Sequence, residues 1–246
     1  MARQFNGTNQ NLQSVSTINL TAYSKAAFAF WLWWDTFADD DKLAFEIGNS
    51  NEIFFDPNGG GFGGGKMYPY YIGNVGNSSS SLARTSSGAW HQYVINLDVA
   101  QAGGAEWQNV YIDAVNQTLT AQDIANNTGN LANLTLNIMS RNNASLFGAG
   151  RMAEFAIYGG INLSSADATD LQTTTPDNVQ GGSLVHYWKL CGINSPETPS
   201  VGSINLTVNG SAPFVDHPPA VAGSCPTTIT GLGRKHQGFN YARPYL

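Results

Sequence analysis

The 246-residue chain carries little charge: Asp, Glu, Lys and Arg make up 11% of it, against about 25% in an average globular protein. Its polar surface must therefore come from Asn, Ser, Thr, Gln and Gly, which suit turns and strand edges and disfavour helix interiors. A net charge of −6 and a pI near 5.0 argue against a general binder of nucleic acid or of anionic membranes. Because 42% of the residues are hydrophobic, a sizeable core can still be buried. The composition predicts an all-β protein.

Long apolar runs and cysteines are also scarce. No run of 18 apolar residues occurs, so no membrane span is predicted. The opening residues, MARQFNGTNQ, lack the apolar segment of a secretory signal. We therefore expect a chain made and first kept in a cytosol, with a signal removed before Met1 as the alternative. The two cysteines, Cys191 and Cys225, are compatible with one disulfide or with two buried thiols, and no Cys/His cluster indicates zinc.

No catalytic motif is recognisable. The stretch NGGGFGGGKMYP (58–69) formally contains G-x-x-x-x-G-K, but Met67 stands where a phosphate-binding loop needs Ser or Thr. Pro69 and the tyrosines around it oppose the helix that such a loop requires. The four histidines are scattered, and none accompanies a G-x-S-x-G nucleophile. We expect a hairpin loop at the glycines and no enzymatic activity.

Short β-prone runs recur between clusters of Gly, Asn, Asp and Ser, as in antiparallel sandwiches and barrels. Only SSADATDLQ (164–172) has helical spacing, with Ser164 or Ser165 as its expected N-cap. The predicted strands cover eleven runs: 14–20, 26–34, 42–48, 52–56, 67–73, 90–98, 107–115, 134–140, 151–159, 183–190 and 203–210.

Five segments, in order, resemble strands of the laminin-G-like branch of the concanavalin A-like lectin/glucanase superfamily. Together they span about residues 5–172, and Trp31 falls at a tryptophan position of the family. The resemblance implies a two-sheet antiparallel jelly-roll sandwich, a fold that hosts lectins, hydrolases and structural modules. FNGTNQNLQ (5–13) resembles F-[DN]-G-x-[ND]-x-[FL], and FAFWLWW (28–34) resembles F-T-I-x-x-W-V. GAWHQYVINLD (88–98) resembles G-x-W-H-H-V-A-V-x-x-D, and VYIDAVNQ (110–117) resembles L-Y-V-D-G-x. FGAGRMAEFAIYGGINLSSADATDL (147–171) resembles F-x-G-x-I-D-E-V-x-I-Y-N-x-A-L-S-x-x-E-I-x-x-L.

The resemblance also bears on domains and catalysis. Two later runs (183–190 and 206–210) look like family strands, which indicates a sandwich with a shifted starting point. We assign the sandwich to residues 1–212 and a Pro-rich extended C-terminal arm to 213–246. The glucanases carry an E-x-D-x-x-E or E-x-D-x-E strand, and period-2 geometry puts positions i, i+2 and i+4 of such a strand on one sheet face. Neither motif occurs in this chain. Glu154 falls at a family position whose carboxylate packs under the last strands.

A sugar site on such a sandwich needs aromatic faces and polar side chains. In the run 26–34, alternation puts Phe28 and Trp34 on one face and Trp31 and Trp33 on the other. One face must be core. The other faces a ligand, is covered by the C-terminal segment or is buried against a partner, and coverage by protein is favoured. The candidate ligand-binding residues are Trp33, Trp34, Tyr68, Tyr70, Tyr71, Trp107, Arg141 and Asn142.

The acidic turn 39–41, with Asp35 or Glu46 nearby, offers carboxylates that could hold a calcium ion. The D-x-D-x-D-G spacing of a calcium loop is absent there, so the sequence predicts no metal and no cofactor.

The C-terminal arm combines prolines with basic and aromatic residues, and a disordered tail would usually lack those aromatics. The arm either docks on a neighbour, which we favour, or folds back on its own sandwich. By analogy of composition, we expect a non-enzymatic structural protein of a bacteriophage virion, either a capsid decoration (cement) protein or a tail-fibre-associated module. Its partners would be the major capsid protein or other virion subunits in an oligomeric assembly, without nucleic acid or membrane. The alternative is an extracellular carbohydrate-binding, lectin-type module. The expected partner-binding residues are Arg234, Lys235, His236, Phe239, Tyr241, Arg243 and Tyr245.

Overall fold

The computed structural model describes residues 2–36, 42–48, 53–59, 66–73, 76–83, 85–100, 108–123, 130–192, 194–218 and Cys225, with the backbone alone at 54, 58–59, 68, 70–73, 76–80 and 121–123. Its described strands, in chain order, are β1 (Ala2–Asn6), β2 (Asn11–Ser14), β3 (Ile18–Asn19), β4 (Lys25–Trp34), β5 (Phe45–Ile47), β6 (Ile53–Gly59), β7 (Lys66–Gly73), β8 (Gly76–Ala83), β9 (Trp90–Asp98), β10 (Gln108–Ile112), β11 (Val115–Asn116), β12 (Thr120–Asp123), β13 (Asn133–Leu134), β14 (Leu136–Ile138), β15 (Ala149–Gly159), β16 (Leu184–Trp188), β17 (Leu206–Asn209) and β18 (Phe214–Val215).

Apart from β3 and β13, which pair with each other, these strands form two large antiparallel sheets. This confirms the predicted all-β, two-sheet antiparallel jelly-roll sandwich. The first sheet has the order β11-β10-β9-β4-β15-β1-β18, with β16 also paired to β15. The second has the order β12-β8-β7-β6-β5-β14-β2-β17. The predicted runs 26–34, 90–98 and 151–159 became β4, β9 and β15 almost residue for residue, whereas β1 and the serine-rich β8 were not predicted as strands.

One short α-helix, α1 (Ser165–Asp170), follows β15. Ser164 is its N-cap, as predicted: its Oγ accepts the Asp167 amide, and the Asp167 carboxylate accepts the Ser164 amide at 2.7 Å. Two 3₁₀ turns come next, at Pro176–Asn178 and Gly181–Ser183. Among the described residues, no helix is long and apolar enough to cross a membrane.

The core between the sheets is aromatic, and the predicted alternation of β4 builds it. Phe28, Phe30, Leu32 and Trp34 all point inward and are almost fully buried. The Phe30 ring lies 5.4 Å from that of Tyr93 and 5.7 Å from that of Phe155, measured between centroids. Each such aromatic pair adds about 0.5–1.5 kcal/mol beyond the area it buries. The core therefore orients β4 and leaves its other side chains on the outer face of the first sheet.

About half of that outer face is covered by the chain itself. Small side chains there, among them Ala27, Ala29 and Ala156, leave room for the segment around α1. Leu163, Ala168, Leu171 and Val179 from that segment pack onto them. The covering ends near Leu171, beside Trp31. Of the readings left open for this face, coverage by the chain itself therefore applies to this part.

A β-bulge at Glu154 lies where the covered half ends. β15 pairs with β4 through Ala153↔Trp31 and again through Ala156↔Ala29, so three steps on β15 oppose two on β4. Glu154 has a left-handed φ of 55°. Its carboxylate is buried, as expected for this position, and accepts hydrogen bonds from the Tyr187 hydroxyl and from His217 Nε2 at 2.7 Å. Burial and the Glu154 charge both raise the pKa of Tyr187, which keeps the hydroxyl a donor.

The described part of the C-terminal region is tied to the sandwich. β18 pairs with β1, so the sheet continues past residue 212. Cys191 and Cys225 form a disulfide, with 5.6 Å between their Cα atoms, which settles the alternative that the sequence left open. The remainder of the proposed arm, at 219–224 and 226–246, lies outside the described residues. β6 and β7 pair antiparallel up to Gly59↔Lys66, which confirms the hairpin; residues 60–65 and the acidic turn 39–41 are also outside the described part.

Gly150 lets β15 approach β4 closely. A Cβ at this position would lie 2.2 Å from the carbonyl oxygen of Trp33, an atom of the sheet backbone. We predict that Gly150→Ala lowers the free energy of unfolding by about 1–3 kcal/mol, because one strand must move. The matched control is Gly181→Ala, whose new Cβ meets nothing within 4 Å and should change stability by less than about 0.5 kcal/mol. Urea unfolding measures both, and an equal effect of the two substitutions would contradict the packing argument.

His186 supplies a pH dependence. It is buried, stacks on Trp188 at 5.3 Å between centroids, and its Nδ1 has no hydrogen-bond partner among the described residues. Burial lowers the pKa of His186, so the unfolded chain takes up the proton more readily than the folded chain. Stability should therefore be fully present above the unfolded pKa of about 6.5 and fall as the pH drops below it.

The measurement is urea unfolding at about pH 7.5 and about pH 5.5 for the parent and for His186→Gln. We expect a smaller acid-induced loss in the variant, which cannot take up that proton. Equal losses would show that His186 does not carry the effect.

Candidate functional site

The uncovered half of the outer face forms a groove of about 590 Å³. Three tryptophans line it: Trp31 and Trp33 from β4, and Trp90 from β9. β4 and β9 are antiparallel with Trp33 directly opposite Trp90, so period-2 alternation brings both rings to the same face. Gly88, Ala89, Asp113, Gln172 and Thr173 complete the lining.

The tryptophans differ in what they offer a ligand. Trp31 is only 7% exposed and packs with Ala2 and Ala153, so it forms part of the floor. Trp33 and Trp90 are half-buried, with ring centroids 6.1 Å apart and planes at 72°. Part of each ring therefore remains open, and the two ring planes are nearly perpendicular. Such a corner can hold a flat apolar surface against one ring and its edge against the other.

Arg151 fixes Trp33 from the next strand. Its guanidinium carbon lies 4.5 Å from the Trp33 ring centroid, a cation–π contact that follows from the Arg151↔Trp33 register. The contact covers part of Trp33 and limits its rotamers. A ring already held in place loses less conformational entropy when a ligand stacks on it.

Asp113 supplies a charged acceptor at the side of the groove. His91 Nδ1 lies 2.6 Å from Asp113 Oδ2, and the Gln92 amide donates to Oδ1 at 2.9 Å. Burial opposes ionisation, but these hydrogen bonds and the nearby imidazole hold the pKa of Asp113 below its usual value. The side chain is 43% exposed, so an ionised carboxylate faces the groove at neutral pH.

Gln92 lies directly opposite Trp31 on β9, and its side chain is 1% exposed, yet neither Oε1 nor Nε2 has a hydrogen-bond partner among the described residues. Gln92 lines a cavity of about 10 Å³ with Trp31, Glu154 and Thr174. That volume is close to the least that one water molecule needs. The site therefore has a buried polar side chain, that of Gln92, next to Trp31.

The four predicted ligand-binding residues whose side chains the structure describes do not form one site. Trp33 lies in the groove, but Trp34 is 3% exposed in the core and has no ring face open to a ligand, because it shares the inward face of β4 with Phe28. This corrects its assignment as a ligand-binding residue.

Arg141 and Asn142 lie on the outer face of the other sheet. There the Asn142 amide donates to Glu46 Oε2 at 2.8 Å and Arg141 Nε lies 3.5 Å from Oε1. The side chains of Tyr68, Tyr70 and Tyr71, the whole of Trp107, and the seven predicted partner-binding residues of the arm lie outside the described part of the chain.

Six aromatic or polar residues of the site were missed from the sequence: Trp90, Gln92, Asp113, Arg151, Gln172 and Thr173. The pairing of β9 and β15 with β4 brings three of them beside Trp31 and Trp33, over separations of 57 to 118 residues between register partners along the chain. A pairing argument for the strands at 26–34 and 90–98 would have revealed Trp90. The register with Arg151 was not accessible, because the bulge at Glu154 shifts it.

Comparison with known proteins places the fold. No family model matches the chain, and no curated protein matches its sequence. A solved structure from Bacteroides ovatus, described as "a putative carbohydrate binding protein", superposes with a TM-score of 0.62 at 14% identity over 88% of this chain. The match spans 60% of that protein. This likeness shows a shared β-sandwich fold.

Two more distant similarities are with named sandwich proteins. A heptameric SAP-like pentraxin of Limulus polyphemus has a TM-score of 0.45 at 10% identity, over 68% of this chain and 79% of that one. Domain 4 of an extracellular arabinanase of Geobacillus stearothermophilus, in complex with arabinotriose, has a TM-score of 0.48 at 16% identity, over 69% and 75%.

Gln92 gives a direct test of the buried polar position next to Trp31. We predict that Gln92→Met raises the free energy of unfolding by about 1 kcal/mol, because an unpaired buried amide is replaced by an apolar chain of similar shape. Chemical denaturation of parent and variant measures this. A destabilised variant would show that the amide is hydrogen-bonded in solution, for instance to a water in the small cavity.

Proposed function

We propose that this chain is a non-catalytic carbohydrate-binding module that holds an oligosaccharide in the groove of Trp31, Trp33 and Trp90. The single observation that carries the proposal is the convergence of these three indole rings in one open groove. The apolar C–H face of a pyranose ring stacks on indole, while its hydroxyls need donors and acceptors around the rim. The groove has both kinds of surface.

The polar groups of the rim suit hydroxyl groups. Asp113 is an ionised acceptor, Gln172 offers both a donor and an acceptor, and Thr173 carries a hydroxyl. Gly88 is exposed, and without a side chain it lets a ligand approach the backbone. These groups line the same groove as the tryptophans, so a sugar ring can stack and hydrogen-bond at once.

The comparison supports this reading over a virion component. The Bacteroides ovatus protein, with the same fold over most of this chain, is described as carbohydrate binding in character. The expectation of a capsid or tail-fibre partner rested on composition and on the C-terminal arm, most of which lies outside the described residues. Nothing found for the described residues supports a virion partner, and an extracellular location follows only as part of the carbohydrate-binding proposal.

The test is a broad glycan screen followed by titration calorimetry on the best ligand. We expect Trp33→Ala or Trp90→Ala to weaken binding by about tenfold or more, since loss of a stacking aromatic removes roughly 1–3 kcal/mol. Both side chains are half-buried and outside the main core, so the variants should remain folded, which thermal unfolding checks.

A control variant tests the other predicted position. Asn142 lies on the side of the opposite sheet and has a left-handed φ of 47°, which glycine adopts without strain, so the control is Asn142→Gly. It should leave affinity unchanged. If Asn142→Gly abolished binding and the tryptophan variants did not, the site would lie on the second sheet; if no glycan bound the parent, the proposed function would be wrong.

A further inference from the structure

We propose that the ligand of this groove is an anionic glycan whose carboxylate or sulfate pairs with Arg151 beside Trp33. This inference rests on the proposed function and adds the chemical class of the sugar. It begins from an arginine whose donors are not used by the protein.

Arg151 is held in place but not neutralised. Its guanidinium stacks on Trp33 at 4.5 Å, and no nitrogen of its side chain donates a hydrogen bond to any described residue. Nε is buried without a partner, while the residue as a whole is half-buried. The ion pairs between described residues use other cations, namely Arg3, Lys25, His91, Arg141 and His217.

The buried Nε–H of Arg151 costs free energy while it lacks an acceptor, and the chain has few carboxylates that could pair with it. A guanidinium has five N–H donors in a planar fork, and it matches a carboxylate or sulfate through two parallel hydrogen bonds. Stacking on indole fixes the plane of the fork without using its donors. The arrangement therefore presents oriented donors that no described residue uses, next to a ring that can stack on sugars.

The distribution of charge around the groove sets the orientation of the ligand. Asp113 lies on the β9–β10 side of the tryptophans, where it is ionised and pairs with His91. Arg151 lies on β15, on the opposite side of β4. An anionic group is repelled at the first position and attracted at the second. A sugar bound across the groove should thus point its acidic substituent toward β15 and its neutral hydroxyls toward Asp113.

The experiment compares ligands that differ only in charge. Oligogalacturonate is titrated against its methyl-esterified form, and a heparin-derived oligosaccharide against its desulfated form, so that the two arms separate carboxylate from sulfate. We expect one charged ligand to bind the parent about tenfold more tightly than its neutral counterpart, as for a charge-assisted bidentate contact. The preference should shrink as the salt is raised from about 0.05 M to about 0.5 M.

Substitutions then locate the contact. Arg151→Gln should remove most of the charged-over-neutral preference, and Arg151→Lys should keep a part of it, because the charge remains while the planar fork is lost. Arg141→Gln removes the same charge from the other sheet and should keep the full preference. Intrinsic tryptophan fluorescence and thermal unfolding of each variant check that Trp33 and the fold are retained.

The outcomes separate the two proposals. Equal binding of charged and neutral ligands at the tryptophan groove would overturn the inference and leave the proposed function standing. A charged preference that survives Arg151→Gln, or is lost equally in Arg141→Gln, would overturn the inference as well, since the attraction would then be a property of the whole surface. Absence of any glycan binding would overturn both.

Discussion

The geometry of the molecule depends on the bulge at Glu154. Met152 and Phe155 both face the core, while Ala153 and Ala156 both face outward, and strict alternation cannot give this pattern. The extra residue reverses the phase of β15 while β4 continues unchanged. A left-handed glutamate costs about 1–2 kcal/mol, which the hydrogen bonds from Tyr187 and His217 offset. On one side of this point the outer face is covered, and on the other it is the tryptophan groove.

Because charged residues are few, most of those that are buried join separate parts of the chain. Arg3 pairs with Glu197 at 2.7 Å and also donates to the carbonyls of Asn194 and Ala212, so the first strand is tied to the region after β16. Glu197 in turn accepts the Gly192 amide at 2.9 Å. Buried pairs of this kind add little net stability, but loss of either partner leaves an uncompensated charge. They specify which segments meet, and the aromatic core supplies the stabilisation.

The sequence predicted local patterns well and long-range register poorly. The alternation of β4 could be predicted from its sequence, and it placed Trp34 on the same face as Phe28. The assignment of Trp34 to ligand binding was inconsistent with that pattern, because this face is the core. β8, with the sequence GNSSSSLA, has few β-forming residues, and it is a strand because it pairs with β7 on one side and β12 on the other. Arg151 could not be predicted as a site residue, because its pairing with Trp33 depends on the register shift at the β-bulge, and no sequence motif marks that bulge.

The groove and the C-terminal segment are linked through the same residue. Glu154 lines the small cavity below Trp31, and it also receives His217 from the segment that follows β18. The disulfide to Cys225 and the pairing of β18 with β1 hold this segment from two further directions. These three attachments restrict where the described residues after β18 can lie. The bulge is restricted as well, because a Glu154 carboxylate with two bound donors cannot rotate without losing both hydrogen bonds. The floor of the groove is thus held rigid by a part of the chain that lies far from it in sequence, which favours a binding surface formed before the ligand arrives.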